Sequence, residues 1–210
     1  MKRTKYPRTF HLPWSNPSSD DKMLDSTNHF VGKEVVVTEK MDGESFTGYS
    51  DGYTHARSID SKNHLSRNAS KQIFGNIWHN LPYGYRICAE NVYAKHSIEY
   101  KNLKSYLYGF SIWNESNICL DWDTTIKLFD NWNITPVKVL YRGIYNENDI
   151  KGLWDESKRD SIEGYVMRTT SEIPFDKFNL NYAKFVRKNH VNTSDHWMTE
   201  QIIPNIIDHS

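Results

Sequence analysis

From Val35 to Thr38 the chain is continuously apolar and β-branched, the pattern of a strand buried on both faces. The run predicts a strand over 34–40, followed by strands at 45–50 and 53–58, with Asp51-Gly52 between them as a hairpin signal. The rhythm then changes. Ile73, Phe74, Ile77 and Trp78 recur at helical spacing and predict a core-facing helix near 66–80. "YRICAEN" sets Tyr85, Ile87 and Ala89 against Arg86, Cys88 and Glu90, a strand over 85–91, and the aromatic "YLYGFSIW" gives another at 106–113. Asp121 or Asp123 can cap a helix reaching Trp132. Pro136 starts a strand with Val137, Val139 and Tyr141 on one face. A helix near 147–158 and strands at 162–168 and 182–187 complete the pattern. Strands outnumber helices and hairpins mix with helices, which predicts an α+β fold with a mainly antiparallel sheet.

Composition narrows the picture without deciding it. The chain has 210 residues, enough for one large domain or two small ones, and shows no internal repeat or linker. Its 26 basic and 26 acidic side chains balance to zero net charge, so the whole chain does not advertise nucleic-acid binding, although a local patch is compatible with the balance. Lys2, Arg3, Lys5 and Arg8 form a charge run that reads as a solvated terminus. Residues 11–21, rich in Pro and Ser, read as an ordered opening loop. Two cysteines, Cys88 and Cys119, indicate neither a disulfide framework nor a CxxC metal site and read as buried thiols. No stretch nears the roughly 18 apolar residues of a membrane span, and a soluble, cytoplasmic protein is expected.

Several charges stand where the pattern wants interior residues. Glu90, Glu163 and Lys184 lie within strand-like segments, and Lys40 ends the first. Burying a lone charge is costly, so each needs a partner, a metal or a ligand. Together they imply a charged site on one face of a sheet, or else a structural ion-pair network. Lys40-Met41-Asp42-Gly43 by itself is also a common way for a chain to leave a strand.

These residues resemble the motifs of the covalent nucleotidyltransferases: ATP-dependent RNA and DNA ligases and GTP-dependent mRNA capping enzymes. Lys40-Met41-Asp42-Gly43 resembles the family's KxDG motif I, "AENVYAKHS" motif III, "YLYGFSIW" motif IIIa, "IEGYVMR" motif IV and "AKFVRKNHV" motif V, in the family's order. The opening "KYPRTFHLPWS", "HARSID" and the closing "NHVNTSDHW" resemble the short RNA ligases of bacteria and their viruses, so the likeness covers nearly the whole chain. It implies an α+β nucleotidyltransferase fold, an ATP-grasp-like adenylation domain with mainly antiparallel sheets flanked by helices. The expected organisation is one adenylyltransferase domain over 1–210: only about twenty residues follow motif V, too few for the C-terminal OB-fold of larger ligases.

The resemblance also implies a chemistry. Lys40 would attack the α-phosphorus of ATP and hold AMP as a phosphoramidate, pass it to an RNA 5′-phosphate, and a 3′-hydroxyl would then displace it. An amine attacks only when neutral, so a side chain with an ordinary pKa of about 10.4 must be brought toward roughly 7–8 by desolvation and nearby positive charge. By resemblance Glu39 helps hold adenine although alternation points it to the other side of the strand, Glu90 accepts hydrogen bonds from ribose, and Phe110 stacks on adenine unless it is a plain core residue. Arg57 touches ribose or the RNA end, Glu163 binds the divalent cation (Mg2+ or Mn2+), and Lys184 contacts the α-phosphate. Asp42 and Gly43 shape the turn. Motif V is often Lys-x-Lys; here Arg187 and Lys188 are the candidates for the second cation, with Lys188 on the face of Lys184 by strand period. The expected partners are RNA ends, with no membrane. The alternatives are a DNA nick ligase, a capping-type guanylyltransferase, or an inactive nucleic-acid-binding relative.

Overall fold

The structure, a computed structural model, describes residues 1–18, 20–188 and 202–208. Its strands are β1 (Phe10–His11), β2 (Glu34–Lys40), β3 (Glu44–Tyr49), β4 (Thr54–His55), β5 (Arg86–Asn91), β6 (Leu107–Trp113), β7 (Ile118–Cys119), β8 (Thr135–Pro136), β9 (Val139–Ile144), β10 (Gly164–Thr169), β11 (Ile173–Pro174) and β12 (Tyr182–Val186). The helices are α1 (Asn68–Gly75), α2 (Trp122–Asn131) and α3 (Glu147–Lys151). Two sheets result. One runs β1-β12-β10-β2-β9; the other runs β11-β7-β6-β5-β3-β4, with β8 beside β6. Pairing is antiparallel except for β1 with β12 and β6 with β8.

The β-branched run explains why β2 sits at the centre of the first sheet. Val35 and Val37 pack with Tyr165, Met167 and Ile150 of α3 on the outer face, while Val36 packs with Val92, Trp122 and Val137 between the sheets. All three valines are fully buried, each worth about 1.5–3 kcal/mol of hydrophobic stabilisation. The second sheet presents Ile87, Ala89 and Ile112 to Phe74 of α1 and Phe129 of α2. Its other face carries Cys88 and Trp113, which meet Tyr182 and Phe178 across the inter-sheet space. Both cysteines are free and buried, as expected, and burial raises the Cys88 thiol to about 11.

Several elements depart from the sequence pattern, each for a local reason. The helix expected over 66–80 is three pieces: a 3-10 turn at Leu65–Arg67, α1, and a second turn at Trp78–Asn80. Gly75 and Asn76 are poor helix formers, and Trp78 ends up 38 % exposed rather than in the core. The helix expected over 147–158 stops at Lys151 before Gly152, and Asp155 caps a separate turn by accepting from the Ser157 amide. The strand expected from Pro136 is two, because the chain leaves the second sheet after β8 and joins the edge of the first as β9. Val137 is therefore buried and Val139 exposed. The strand expected over 53–58 shrinks to β4, although Gly52 does turn the β3–β4 hairpin with φ +81°. Asp121, not Asp123, caps α2, accepting from the Thr124 amide at 2.8 Å.

Of the expected opening loop over 11–21, in which residue 19 lies outside the described residues, His11 and Leu12 are buried, and β1 lies beside β12. Residues 202–208 return to the same body, where buried Asn205 donates from Nδ2 to the Val92 carbonyl and accepts from the Tyr100 amide. Among the described residues no helix is long and apolar enough to cross a membrane.

Candidate active site

Residues 41–43 are a crossover rather than a hairpin turn. β2 belongs to the first sheet and β3 to the second, so Met41-Asp42-Gly43 carries the chain from one to the other with Lys40 at the junction. The buried Asp42 carboxylate fixes the crossover by accepting from the amides of Ser97 and Ile98 and the Ser97 hydroxyl, at 2.7–2.8 Å. Gly43 is required by close approach: a Cβ there would lie 2.5 Å from the Asn91 carbonyl oxygen.

Lys40 opens onto a cavity of about 1200 Å³ between the sheets. Its ammonium donates to Glu163 Oε2 at 2.6 Å. The pairing follows from register: Lys40 stands opposite Gly164, the neighbour of Glu163. Glu163 is only 4 % exposed. Burial acts to lower the Lys40 pKa, but Glu163 and then Glu90 outweigh it and hold the ammonium above its ordinary value. The direction is opposite to the depressed amine expected for a nucleophile, because Glu163 and Glu90 favour the charged form.

Glu90, opposite Ser45 and Tyr108, lines the same cavity. Burial pushes its carboxyl up to about 8, offset in part by Lys40 and reinforced by Glu163 and Asp42. A carboxyl raised in the folded state stabilises the fold below its unfolded value and loses that contribution as pH rises through the folded one. The window here runs from the ordinary 4.5 to about 8. Glu90→Gln should therefore melt like the parent at pH 5 and at a higher temperature than the parent above pH 8. Parallel melting curves across that window would remove the buried carboxyl from the account.

Lys184 comes from β12, opposite Val166, which stands opposite Thr38 of β2. Lys40 lies two residues beyond Thr38, so strand alternation puts both lysines on the cavity face. Burial lowers the Lys184 pKa, and Asp21 Oδ1 at 3.5 Å opposes it. Asp21 also meets Nε2 of buried His11 at 3.2 Å, while His11 Nδ1 lies 2.6 Å from Ser15 Oγ. Burial works against the Asp21 carboxylate, yet Ser18, Lys184 and His11 bring it down to about 2. Sequence reading missed Asp21 and His11, because a polar loop residue and a two-residue strand carry no signal of a lysine more than 160 positions away.

Phe110 lines the cavity, half-buried and edge-on to Tyr6 at 5.4 Å. It falls at an irregularity where Cys88 pairs with Ser111 but Ala89 with Gly109, and this bulge leaves Phe110 without a partner on β5. Arg57 lines the cavity from a loop, exposed, rather than from the expected strand. Glu39 also lines it, so alternation does not remove that residue from the site; burial raises its carboxyl against the pull of Lys138. Of the two motif V candidates neither is a lining residue: Arg187 is buried, its amide bonded to the Glu163 carbonyl, and Lys188 is exposed. The end of that motif and the closing "NHVNTSDHW" lie outside the described residues.

Two further arginines reach the wall. Arg67 is locked to Glu44 by both carboxylate oxygens, with Nε 2.7 Å from Oε2. Arg168, 2 % exposed, bonds the carbonyls of Leu120, Thr169 and Ser171 and the Tyr182 hydroxyl. The charge run of the terminus is more than a solvated tail: Arg3 forks onto Asp51, and Lys5 and Arg8 line the cavity.

Among the described residues no three His, Cys, Asp or Glu side chains gather as a metal cage. The single near-buried carboxylate of Glu163 suits an Mg2+-type cation, which keeps waters and takes its other ligands from substrate phosphates.

A two-sheet body with a lysine at the crossover and a deep cleft carrying charged side chains has the fold of the nucleic-acid ligases. An RNA ligase from Naegleria gruberi, solved with pyrophosphate, superposes with TM-score 0.55 at 20 % identity over 76 % of this chain and 51 % of its own. An archaeal ATP-dependent RNA ligase gives 0.57 at 16 %, over 87 % and 48 %. A putative ATP-dependent DNA ligase from Aquifex aeolicus gives 0.55 at 19 %, over 76 % and 45 %. The chain thus spans about half the length of these solved ligases. No curated protein matches. A sequence model of the RNA ligase family matches residues 33–186, and the chain belongs to that family.

Proposed function

We propose that the protein is an ATP-dependent RNA ligase working through a lysyl-AMP at Lys40. The observation that carries this reading is Lys40 in the wall of the inter-sheet cavity, 2.6 Å from Glu163, with Glu90 and Lys184 opening on the same space.

In the proposed first step Lys40 Nζ attacks the α-phosphorus of ATP. A P–N bond forms, the bond to the bridging oxygen breaks, and pyrophosphate leaves with the electron pair. The ammonium must first lose a proton. With Glu163 against it the charged form is favoured; drawing that carboxylate to another positive charge removes the largest influence opposing burial and shifts the lysine toward the neutral amine. A divalent cation, Mg2+ or Mn2+, supplies that charge when bound and neutralises the departing phosphates; the Naegleria ligase has been solved with ATP and Mn. Glu163 is the residue to hold it, and Lys184 faces the α-phosphate. Glu90, Phe110, Glu39 and Arg57 are assigned to ribose, adenine and the nucleotide or RNA end, as the motifs imply. In the second step AMP passes from Lys40 to the RNA 5′-phosphate, forming a pyrophosphate bridge and freeing the amine. In the third, a 3′-hydroxyl attacks that 5′-phosphorus and AMP leaves. The adenylyltransferase unit is proposed to be the whole of 1–210.

Asp21 holds the cation of Lys184 in this scheme. Asp21→Asn should lower the rate of the first step about tenfold, equivalent to roughly 1.4 kcal/mol, with the loss growing toward high pH as Lys184 loses its charge earlier. A rate and pH profile matching the parent would leave Asp21 a purely structural residue.

The joining of a 5′-phosphorylated RNA oligonucleotide in the presence of ATP tests the activity. Adenylated RNA followed by joined product is expected, with neither from GTP. The structural likeness to the Aquifex ligase favours one second reading, DNA nick joining, and joining of nicked DNA alone would establish it over the RNA reading.

A further inference from the structure

We infer that the mouth of the cavity carries a phosphate-binding rim, built from the N-terminal strap and the loop after β4, that grips the backbone of the RNA strand presenting the 5′-phosphate. This rests on the ligase reading and extends it to how RNA is held.

Charge segregation points there. The chain as a whole is neutral, yet eight cationic side chains and four carboxylates line the cavity, with a fifth carboxylate, Glu163, paired to Lys40. Inside, the lysines and Arg67 face carboxylates: Lys40 with Glu163, Lys184 with Asp21, Arg67 with Glu44. At the mouth, Lys5 and Lys62 are exposed and form no ion pair with a described residue, and the Arg8 side chain donates to the Asp20 carbonyl and pairs with no described carboxylate. Lys5, Arg8 and Lys62 differ from other exposed cations that form no ion pair with a described residue, such as Lys33 and Lys127, in lining the cavity.

Both supports are built rather than trailing. The strap is pinned by Arg3 on Asp51, by the Thr4 amide donating to the Tyr49 hydroxyl, and by Tyr6, whose ring packs edge-on to Phe110, Trp113 and Phe178. Lys5 and Arg8 flank that anchor. Lys62 is held from the other side, where its carbonyl accepts from Arg67, itself clamped to Glu44. Ser61 beside it accepts from the Ala56 amide at 2.8 Å. Unmatched, pre-positioned cations along a groove are what a polyanionic strand needs, since each phosphate neutralised releases counterions.

The test uses the full chain, a 5′-phosphorylated single-stranded RNA about twelve nucleotides long, and the same sequence as DNA. Lys5→Ala/Lys62→Ala should bind RNA at least tenfold more weakly near 0.1 M salt. The slope of log affinity against log salt should shrink by about 1–1.5, following roughly 0.7 per single-strand phosphate contact. Self-labelling by ATP should stay within twofold of the parent. RNA binding unchanged in affinity and slope would overturn the rim. So would a loss of ATP labelling as large as the loss of RNA binding, which would give these lysines to the triphosphate. DNA bound as tightly as RNA, and weakened equally, would overturn the assignment to RNA. If the parent does not label with ATP at all, the ligase reading falls, while the binding series still judges the rim.

Discussion

Lys40→Arg is expected to give a folded protein that takes up no AMP from ATP. Arginine keeps a cation against Glu163 but stays protonated at any usable pH, so it cannot attack phosphorus. Lys40→Ala should be equally inactive and also less stable, because it strips a partner from a near-buried carboxylate. That loss is about 1–3 kcal/mol; the Lys40 side chain is 25 % exposed, so water screens part of the pair. The sequence alone suggests that Lys40 contributes little to stability, and the ion pair is the reason to expect otherwise. Thermal melting of the two variants separates them: Arg near the parent, Ala below it. Residual labelling in Lys40→Arg would mean that another side chain is the nucleophile.

Glu163→Gln tests the opposite partner and has two expected effects. The rate of AMP uptake should fall by about a hundredfold, the scale of removing a group that organises charge at a phosphoryl centre, and the dependence on Mg2+ concentration should shift. The residual activity should also move on the pH axis. Glu163 is the strongest of the influences raising Lys40, so its loss lowers the lysine's pKa even with Glu90 still in place. The rising limb of rate against pH, which reports the neutral amine, should then appear at lower pH than in the parent. An unchanged metal dependence would remove Glu163 from the cation site. An unmoved pH limb would show that the 2.6 Å contact does not set the state of Lys40.

Much of the site was legible because buried charge is conspicuous. Glu90, Glu163 and Lys184 interrupt strand patterns that have no use for them, and the structure brings all three to the space Lys40 faces or to Lys40 itself. The β-branched run at Val35–Val37 announced the central strand for the same reason of pattern. What escaped was whatever depends on a change of sheet or an extra residue. Periodicity cannot say that 41–43 connects two sheets or that the chain changes sheets at 137–138. Nor does it reveal the bulge that frees Phe110 from pairing, since Phe110 in "YLYGFSIW" alternates like its neighbours. Asp21 and Lys62 read as ordinary loop residues; only the fold brings one to Lys184 and the other to the cavity mouth. Lys2, Lys5 and Arg8 are exposed, as a solvated terminus implies, but an exposed Lys or Arg looks the same in sequence whether or not a half-buried Tyr6 anchors the strap beneath it.

The most direct test is to incubate the full protein and Mg2+ with ATP labelled at the α-phosphate, with labelled GTP in parallel, and to resolve the products on a denaturing gel. A covalent, acid-labile AMP label from ATP only is expected, mapping by peptide mass to Lys40 and absent from Lys40→Arg. A folded, Mg2+-replete parent that takes label from neither nucleotide, or that carries AMP on another residue, would contradict the lysyl-AMP reading.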